Sequence, residues 1–315
     1  MYNRVVVYVF IYCCIGGNSM ELIKLRGRTY YISSATNVGV YRYRNGLCTL
    51  IDTGLDNTTG RKITQVLENN NLKVKYIVNT HAHPDHFGAN NFIKEKYPGA
   101  LIVASCKERI FMENSILEGI VFYGASPMHG LSTRILKAHD TAVDINVTEG
   151  VIELENKKFE IIPLEGHSIG QIGVTTEDNV IFCGDAFFSE DKMEKYPFPF
   201  LFDVGAHLNT LKFLLDTNYE CYMISHCDVS LENPKSLIQK NIDNVHQNLE
   251  IVLDFLAQPL TREDLTELII KKYDIPMNIS QYFITISSVG AFLTYLLEKQ
   301  SINMDIIDGK MYFYA

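Results

Sequence analysis

The sequence reads as an α/β protein of two packed sheets with helices outside them, followed by a small C-terminal unit of helices and a hairpin. Three observations carry that reading. The chain opens with a run of short strand-like segments and then alternates strand, loop and helix. It ends with helix-period segments and two alternating ones around Asp308-Gly309. A sheet or helix with one apolar face must bury it against another layer, so helices fed by strand-end loops cover the outer faces of the sheets. At 315 residues, 47% hydrophobic and 21% charged, the chain is long enough for one large domain and one small one.

Residues 22–26, 29–33, 38–43 and 48–51 read as successive strands, separated by Gly27-Arg28 and Asn45-Gly46. The Asn-Gly pair is a strong hairpin signal because both turn positions need positive φ. The fourth strand ends in Asp52-Thr53-Gly54, and residues 57–69 follow as a helix with Ile63, Val66 and Leu67 on one face. Residues 76–79 form a strand, 87–97 a helix stopped by Pro98-Gly99, and 100–104 a further buried strand. Residues 118–140 are Gly-rich and are expected to form an irregular loop over the neighbouring strand ends. Strands return over 143–163 with a turn at Asn156-Lys157, then over 180–183 and 221–225, with a helix over 203–215.

Asn233-Pro234 supplies a cap and a first-turn proline for a long helix whose stripe is Ile238, Ile242, Val245, Leu249, Val252 and Leu256. Gln258-Pro259 ends it, so the expected division is a main domain at 20–258 and a C-terminal unit at 259–315. In that unit Thr261-Arg262-Glu263-Asp264 reads as a capping box, and a second helix is expected over 287–299. Helices followed by a terminal hairpin resemble a winged-helix unit, read here as a lid or a surface for homodimer formation. Five basic residues against seven acidic ones between 259 and 315 make it a poor surface for DNA.

The formal net charge of −9 argues against nucleic acid as a partner for the whole chain as well. Seven cysteines, an odd number without C-x-x-C, are expected to be reduced thiols of a cytoplasmic protein, with Cys48, Cys106, Cys183 and Cys221 buried. Val5 to Ile15 form an apolar run as long as a signal-peptide core and too short to span a bilayer. The preferred reading starts translation at Met20 and treats residues 1–19 as an upstream artefact; a signal or anchor segment is the alternative.

The chemistry lies in Thr80-His81-Ala82-His83-Pro84-Asp85-His86-Phe87-Gly88, directly after an apolar strand. Imidazole and carboxylate bind zinc and iron without any thiolate. His81 and His83 are two apart, so in an extended loop they point to one side. Asp85 and His86 follow the turn that Pro84 enforces and can face a second point. One loop can therefore serve two metals.

This H-x-H-x-D-H pattern resembles the metallo-β-lactamase fold superfamily, over roughly residues 22–258. The resemblance implies a four-layered αββα sandwich and further ligands downstream, which His167 in Gly166-His167, Asp185 in Gly184-Asp185 and His226 in Ser225-His226 match in order. It implies that His81, His83 and His167 hold one metal, that Asp85, His86 and His226 hold the other, and that Asp185 bridges them. Two divalent metals, zinc by preference and iron or manganese otherwise, would share a hydroxide that attacks a carbonyl, because metal binding lowers the pKa of water from 15.7 to about 7. Asp85 is the candidate catalytic residue, orienting that nucleophile. Asp52 is expected either to hold a ligand histidine or to serve its own turn.

Residues 81–88 and 166–170 look most like the glyoxalase II-like group, which cleaves glutathione thioesters. Those enzymes carry a Gly-Cys-Gly-Arg-like segment after the bridging aspartate, where this chain has Ala186-Phe187-Phe188-Ser189-Glu190. The expected activity is hydrolysis of a small thioester, ester or lactone. The alternatives are a single-iron persulfide dioxygenase, a nuclease, a β-lactamase and a non-enzymatic binding module. Among the remaining histidines, His246 is expected to be exposed, while His129, His139 and His207 are expected to be ordinary residues that could line a pocket. Tyr196, Phe198, Phe200 and Phe202 form either a pocket wall or a subunit contact.

Overall fold

The computed structural model describes residues 20–131, 138–227 and 230–315. The N-terminal apolar run and the middle of the Gly-rich segment lie outside the described residues.

The first half of the chain builds a seven-stranded sheet: β1 (Leu22–Arg26), β2 (Thr29–Ile32), β3 (Val38–Arg42), β4 (Leu47–Ile51), β5 (Lys73–Val78), β6 (Leu101–Ser105) and β7 (Ile145–Val147), in that order. The strands are antiparallel up to β4 and parallel from β4 to β7. The change follows from the connections. Short turns join the first four, whereas β4 and β5 are joined through the helix α1 (Asn57–Asn69), as a parallel pair requires. The second half builds a five-stranded sheet in the order β12 (Cys221–Met223), β11 (Val180–Phe182), β10 (Ile172–Thr175), β9 (Lys157–Pro163), β8 (Gly150–Leu154).

Alternation along the strands decides which layer each side chain joins. On β11, Val180 and Phe182 enter the cluster between the sheets, whereas Ile181 enters the cluster on the helix side. On the first sheet, Ile51 and Val78 face the second sheet, while Leu50 and Ile77 pack with Ile63 and Leu67 of α1. Helices α2 (Pro84–Phe87), α3 (Asn90–Lys96) and α4 (Cys106–Glu113) join α1 on that outer side, through Phe87, Ile93 and Met112. The opposite side is covered by α7 (Val204–Asp216) and α8 (Lys235–Phe255), giving four layers, α, β, β, α.

The C-terminal elements α9 (Arg262–Tyr273), α10 (Ile279–Glu298), β13 (Asn303–Ile307) and β14 (Lys310–Tyr314) share the core of that last layer. Ile269, Phe292, Leu296 and Phe313 pack in one cluster with Val252 of α8 and with Leu256, which caps its C-terminus. Thr261 and Asp264 form the expected capping box. Asp308 and Gly309 take φ of 50° and 78° in the hairpin turn, as Asp-Gly does readily. Helix α10 is long and apolar enough to cross a membrane by length and composition, and half of its most apolar stretch is buried in the protein.

Four expectations are corrected. The helix expected over 87–97 is split into α2 and α3, because the His86 carbonyl is captured by Thr53 N–H at 2.7 Å and by the Asn79 amide at 3.0 Å. The expected loop at 118–140 begins as helix α5 (Ile116–Tyr123), preceded by α4 and followed by the single 3-10 turn His129–Leu131. The second C-terminal helix starts at Ile279 instead of residue 287, capped by Asn278, whose side chain accepts from Gln281 N–H at 2.9 Å. Cys106 opens α4 and is exposed, while Cys48, Cys183 and Cys221 are buried.

Candidate metal centre

The candidate ligands leave one end of both sheets, where binding loops of α/β folds collect. His81, His83, Asp85 and His86 follow β5, His167 lies between β9 and β10, Asp185 follows β11, and His226 follows β12. Local chemistry holds the loops in place. Pro84 opens α2, which carries Asp85 and His86 and brings the His86 ring to within 3.9 Å of the His81 ring. Gly166 takes a φ of 125°, and a Cβ there would stand 2.3 Å from His207 N, so only glycine lets the His167 loop pass α7.

All seven side chains converge. His83 Nδ1 lies 2.9 Å from His81 Nε2 and 3.0 Å from His167 Nε2. Asp85 Oδ2 lies 3.4 Å from His226 Nε2 and 3.6 Å from His86 Nε2. Asp185 reaches both groups, at 3.3 Å from His226 Nε2, 3.6 Å from His86 Nε2 and 3.6 Å from His167 Nε2. The donor atoms of His81, His83 and His167, and those of Asp85, His86 and His226, each fall within 4.8 Å of one another.

The outward ring nitrogens are held as well. His86 Nδ1 donates to Asp52 Oδ2 at 2.8 Å, His226 Nδ1 to Ala35 O at 2.8 Å, and His167 Nδ1 to Phe200 O at 3.2 Å. Thr80 Oγ1 gives its proton to Asp52 at 2.8 Å, so its 3.1 Å contact with His81 Nδ1 is one in which the ring donates. Each of these four bonds places a proton on Nδ1 and leaves Nε2 as the atom facing inward. Such bonds set both tautomer and ring angle. Asp52 therefore serves His86 and its turn at once: it is buried, takes a φ of 64°, and also accepts from Thr80 N–H at 2.8 Å.

The two groups differ in charge preference. Burial, reinforced by neighbouring rings, lowers His81, His83 and His167, with His83 reduced to about 3, so this set is neutral near pH 7. Burial opposes charge on His86 and His226 too, but Asp85 and Asp185 outweigh it. His86 is raised by those two and by Asp52, and His226 is raised to about 10. Asp85 and Asp185 are in turn lowered, since these rings outweigh the burial that raises them.

The residues fit divalent metal. His86 Nε2 and Asp185 Oδ1 are buried and find no hydrogen-bond partner in the protein. Buried polar atoms are seldom left so. Nitrogen and carboxylate donors in this mix suit zinc, iron or manganese.

Some residues around the centre are not legible as such in the sequence. Thr36 Oγ1 donates to Asp85 Oδ2 at 2.9 Å. Glu118, on α5, places Oε1 3.8 Å from His83 Nε2. Phe200 packs 5.6 Å from the rings of His83, His167 and Phe122, and Phe188 lies 6.0 Å from His167. The aromatic stretch thus divides: Phe200 borders the centre, Phe198 stacks on Phe292 in the core at 4.8 Å, and Phe202 is exposed. His207 is buried, while His129, His139 and His246 are not. His83 and Asp85, with side chains 19% and 30% exposed, mark the side open to solvent.

A family model described as the metallo-beta-lactamase superfamily matches residues 33–226. Hydroxyacylglutathione hydrolase 1 of Vibrio vulnificus (strain YJ016) is 29% identical over 135 residues, 43% of this chain and 42% of that protein. The matched part thus spans less than half of that relative. A beta-lactamase domain protein from Burkholderia ambifaria superposes with a TM-score of 0.71 at 17% identity, covering 93% of each chain. A metallo-beta-lactamase family protein from Thermus thermophilus superposes at 0.69 and 19% identity, covering 89% of this chain and 94% of that one.

Proposed function

The chain belongs to the metallo-beta-lactamase superfamily of metal-dependent hydrolases, and from that premise we propose that it is a binuclear enzyme cleaving a small thioester, ester or lactone. One observation carries the proposal: two donor sets meet at Asp185 beneath a partly exposed Asp85. Bound there, divalent metals would supply Lewis-acid activation of water and of the substrate carbonyl.

The residues of the chain do the rest. Asp85 is kept as a carboxylate by His86 and His226, and Thr36 fixes its Oδ2. It can accept a hydrogen bond from a nucleophile arriving from the open side and aim it at the substrate. Phe200, Phe122 and Phe188 offer an apolar wall beside His83 and His167 for the acyl or thiol part of the substrate. The names of the curated relatives support a thioester.

The test is metal content of protein purified without added metal, followed by hydrolysis of thioester, ester and lactone panels. Two equivalents with turnover of one class is the expected result. Two equivalents with no hydrolysis of any class would refute the proposal. A single iron with oxygen consumption would replace it by the dioxygenase reading.

A further inference from the structure

Glu108 stands in the first turn of α4, is 2% exposed, and serves no purpose in the chemistry above. Its Oε2 accepts from Ala82 N–H at 2.8 Å. Its Oε1 accepts from Ser168 Oγ and from Gly170 N–H, both at 2.7 Å. Ala82 separates His81 from His83, and Ser168 directly follows His167. One buried carboxylate therefore clamps together the two loops that carry the three-histidine set. Ser105 adds a parallel tie, its Oγ donating to Gly170 O at 2.7 Å.

The other set is held elsewhere, His86 by Asp52 and His226 by Ala35 O. We infer that Glu108 is a positioning residue for the His81, His83 and His167 set alone, and that it governs metal occupancy there without governing the neighbouring set. The inference rests on the reading of the centre as a metal site.

The reason lies in acceptor count. A carboxylate offers two acceptor oxygens and no proton, so it can face three donors from two directions. The amide of a glutamine has one acceptor oxygen, and its NH2 must face either Ala82 N–H or the Ser168 and Gly170 pair. Two donors meeting across a buried gap push the loops apart, and His83 Nδ1 then loses its 2.9 and 3.0 Å approach to the other two rings. An unpaired buried donor is costly, so the loops move before they tolerate it.

The test compares the full-length wild type with Glu108→Gln. Metal-free protein is dialysed against stepped free Zn2+ and analysed for metal per chain, and Co2+ titration gives the visible spectrum of each equivalent. The expected result is two equivalents in the wild type. Glu108→Gln should keep one at wild-type affinity and hold the other about 10–100-fold more weakly, the range for groups that orient a metal-ligating histidine.

In a His226→Ala background, adding Glu108→Gln should remove the remaining tight equivalent and its Co2+ spectrum. Two equivalents at wild-type affinity in Glu108→Gln, or equal weakening of both, would overturn the inference. A wild type that binds no metal would overturn the metal-site reading as well, so the two failures are distinguishable. Should Glu108→Gln fail to fold, Ser168→Ala deletes one of the three bonds. It should weaken the same single equivalent; unchanged binding of both would count against the inference.

Discussion

Asp52→Asn isolates the contribution of a carboxylate that never touches the reacting groups. Asp52 accepts three hydrogen bonds, from Thr80 N–H, Thr80 Oγ1 and His86 Nδ1, each at 2.8 Å, and is 2% exposed. Asparagine keeps the backbone bond through its single oxygen and puts NH2 where Oδ2 stood. The Thr80 hydroxyl can rotate and accept from that NH2, but the His86 ring can comply only by accepting at Nδ1. Its proton then moves to Nε2, the atom 3.6 Å from both Asp85 and Asp185. The loss to the fold is roughly one bond to a charged acceptor, about 1.5–3 kcal/mol. The loss to metal is larger in kind, because the lone pair that should bind now carries a proton, and affinity should fall about 10–100-fold in the set that contains His86. Asp52→Ala leaves all three donors without a partner and should destabilise the fold by about 3–5 kcal/mol. Calorimetric melting of metal-free protein measures the first loss, and competition dialysis against a chelator measures the second. An asparagine variant that binds both metals at wild-type affinity would show that the Asp52–His86 bond does not set the tautomer.

Other consequences can be checked on the same protein. His226 is raised from 6.5 to about 10, so without metal its charge stabilises the fold fully below about pH 6.5, and that stability is lost as pH rises through about 10. A metal must displace that proton, so the gain in melting temperature on adding Zn2+ should grow between pH 6.5 and 10; a constant gain would contradict the His226–Asp185 pairing. Gly166→Ala places a Cβ 2.3 Å from His207 N at a φ of 125°, and should cost about 3 kcal/mol or more in denaturant unfolding. A loss under about 0.5 kcal/mol would mean the loop is free to move. Phe200→Ala removes the ring between His83 and Phe122 and should raise KM about tenfold, about 1.4 kcal/mol of binding, with a smaller change in kcat. An unchanged KM would place the substrate elsewhere.

The strands of the first sheet and the seven convergent side chains were legible for the same reason: both depend on local signals. Alternating apolar residues bounded by Gly27-Arg28 and Asn45-Gly46 announce strands, and imidazole and carboxylate at strand ends are conspicuous in a chain with nine histidines. What escaped depends on contacts distant in sequence. Glu108 reads as an ordinary helix-start glutamate three residues after Ser105, and only the fold turns its carboxylate inward to Ala82 and Ser168. Thr36 meets Asp85 across 49 residues of chain. Helix α5 was hidden because Ile116, Leu117, Ile120, Val121 and Phe122 surround Gly119 without leaving a polar face, so the periodic signal is absent. A Cβ at Gly119 would come 3.2 Å from the Pro127 side chain, tighter than ordinary contact.

The centre combines two unlike halves. The rings of His81, His83 and His167, held neutral, can receive a cation without releasing a proton. In the other half Asp85 and Asp185 keep His86 and His226 charged, so a cation enters only as protons leave. Asp185 joins the halves, since it lies 3.3 Å from His226 and 3.6 Å from His167. The two buried carboxylates behind the centre do different work: Glu108 ties the backbone of the three-histidine loops, where the rings need spacing, whereas Asp52 grips the His86 ring and also fixes Thr80, whose Oγ1 accepts from His81 Nδ1. Exchanging those roles would fail in both places, because a backbone clamp cannot choose a tautomer and a bond to one ring cannot space three.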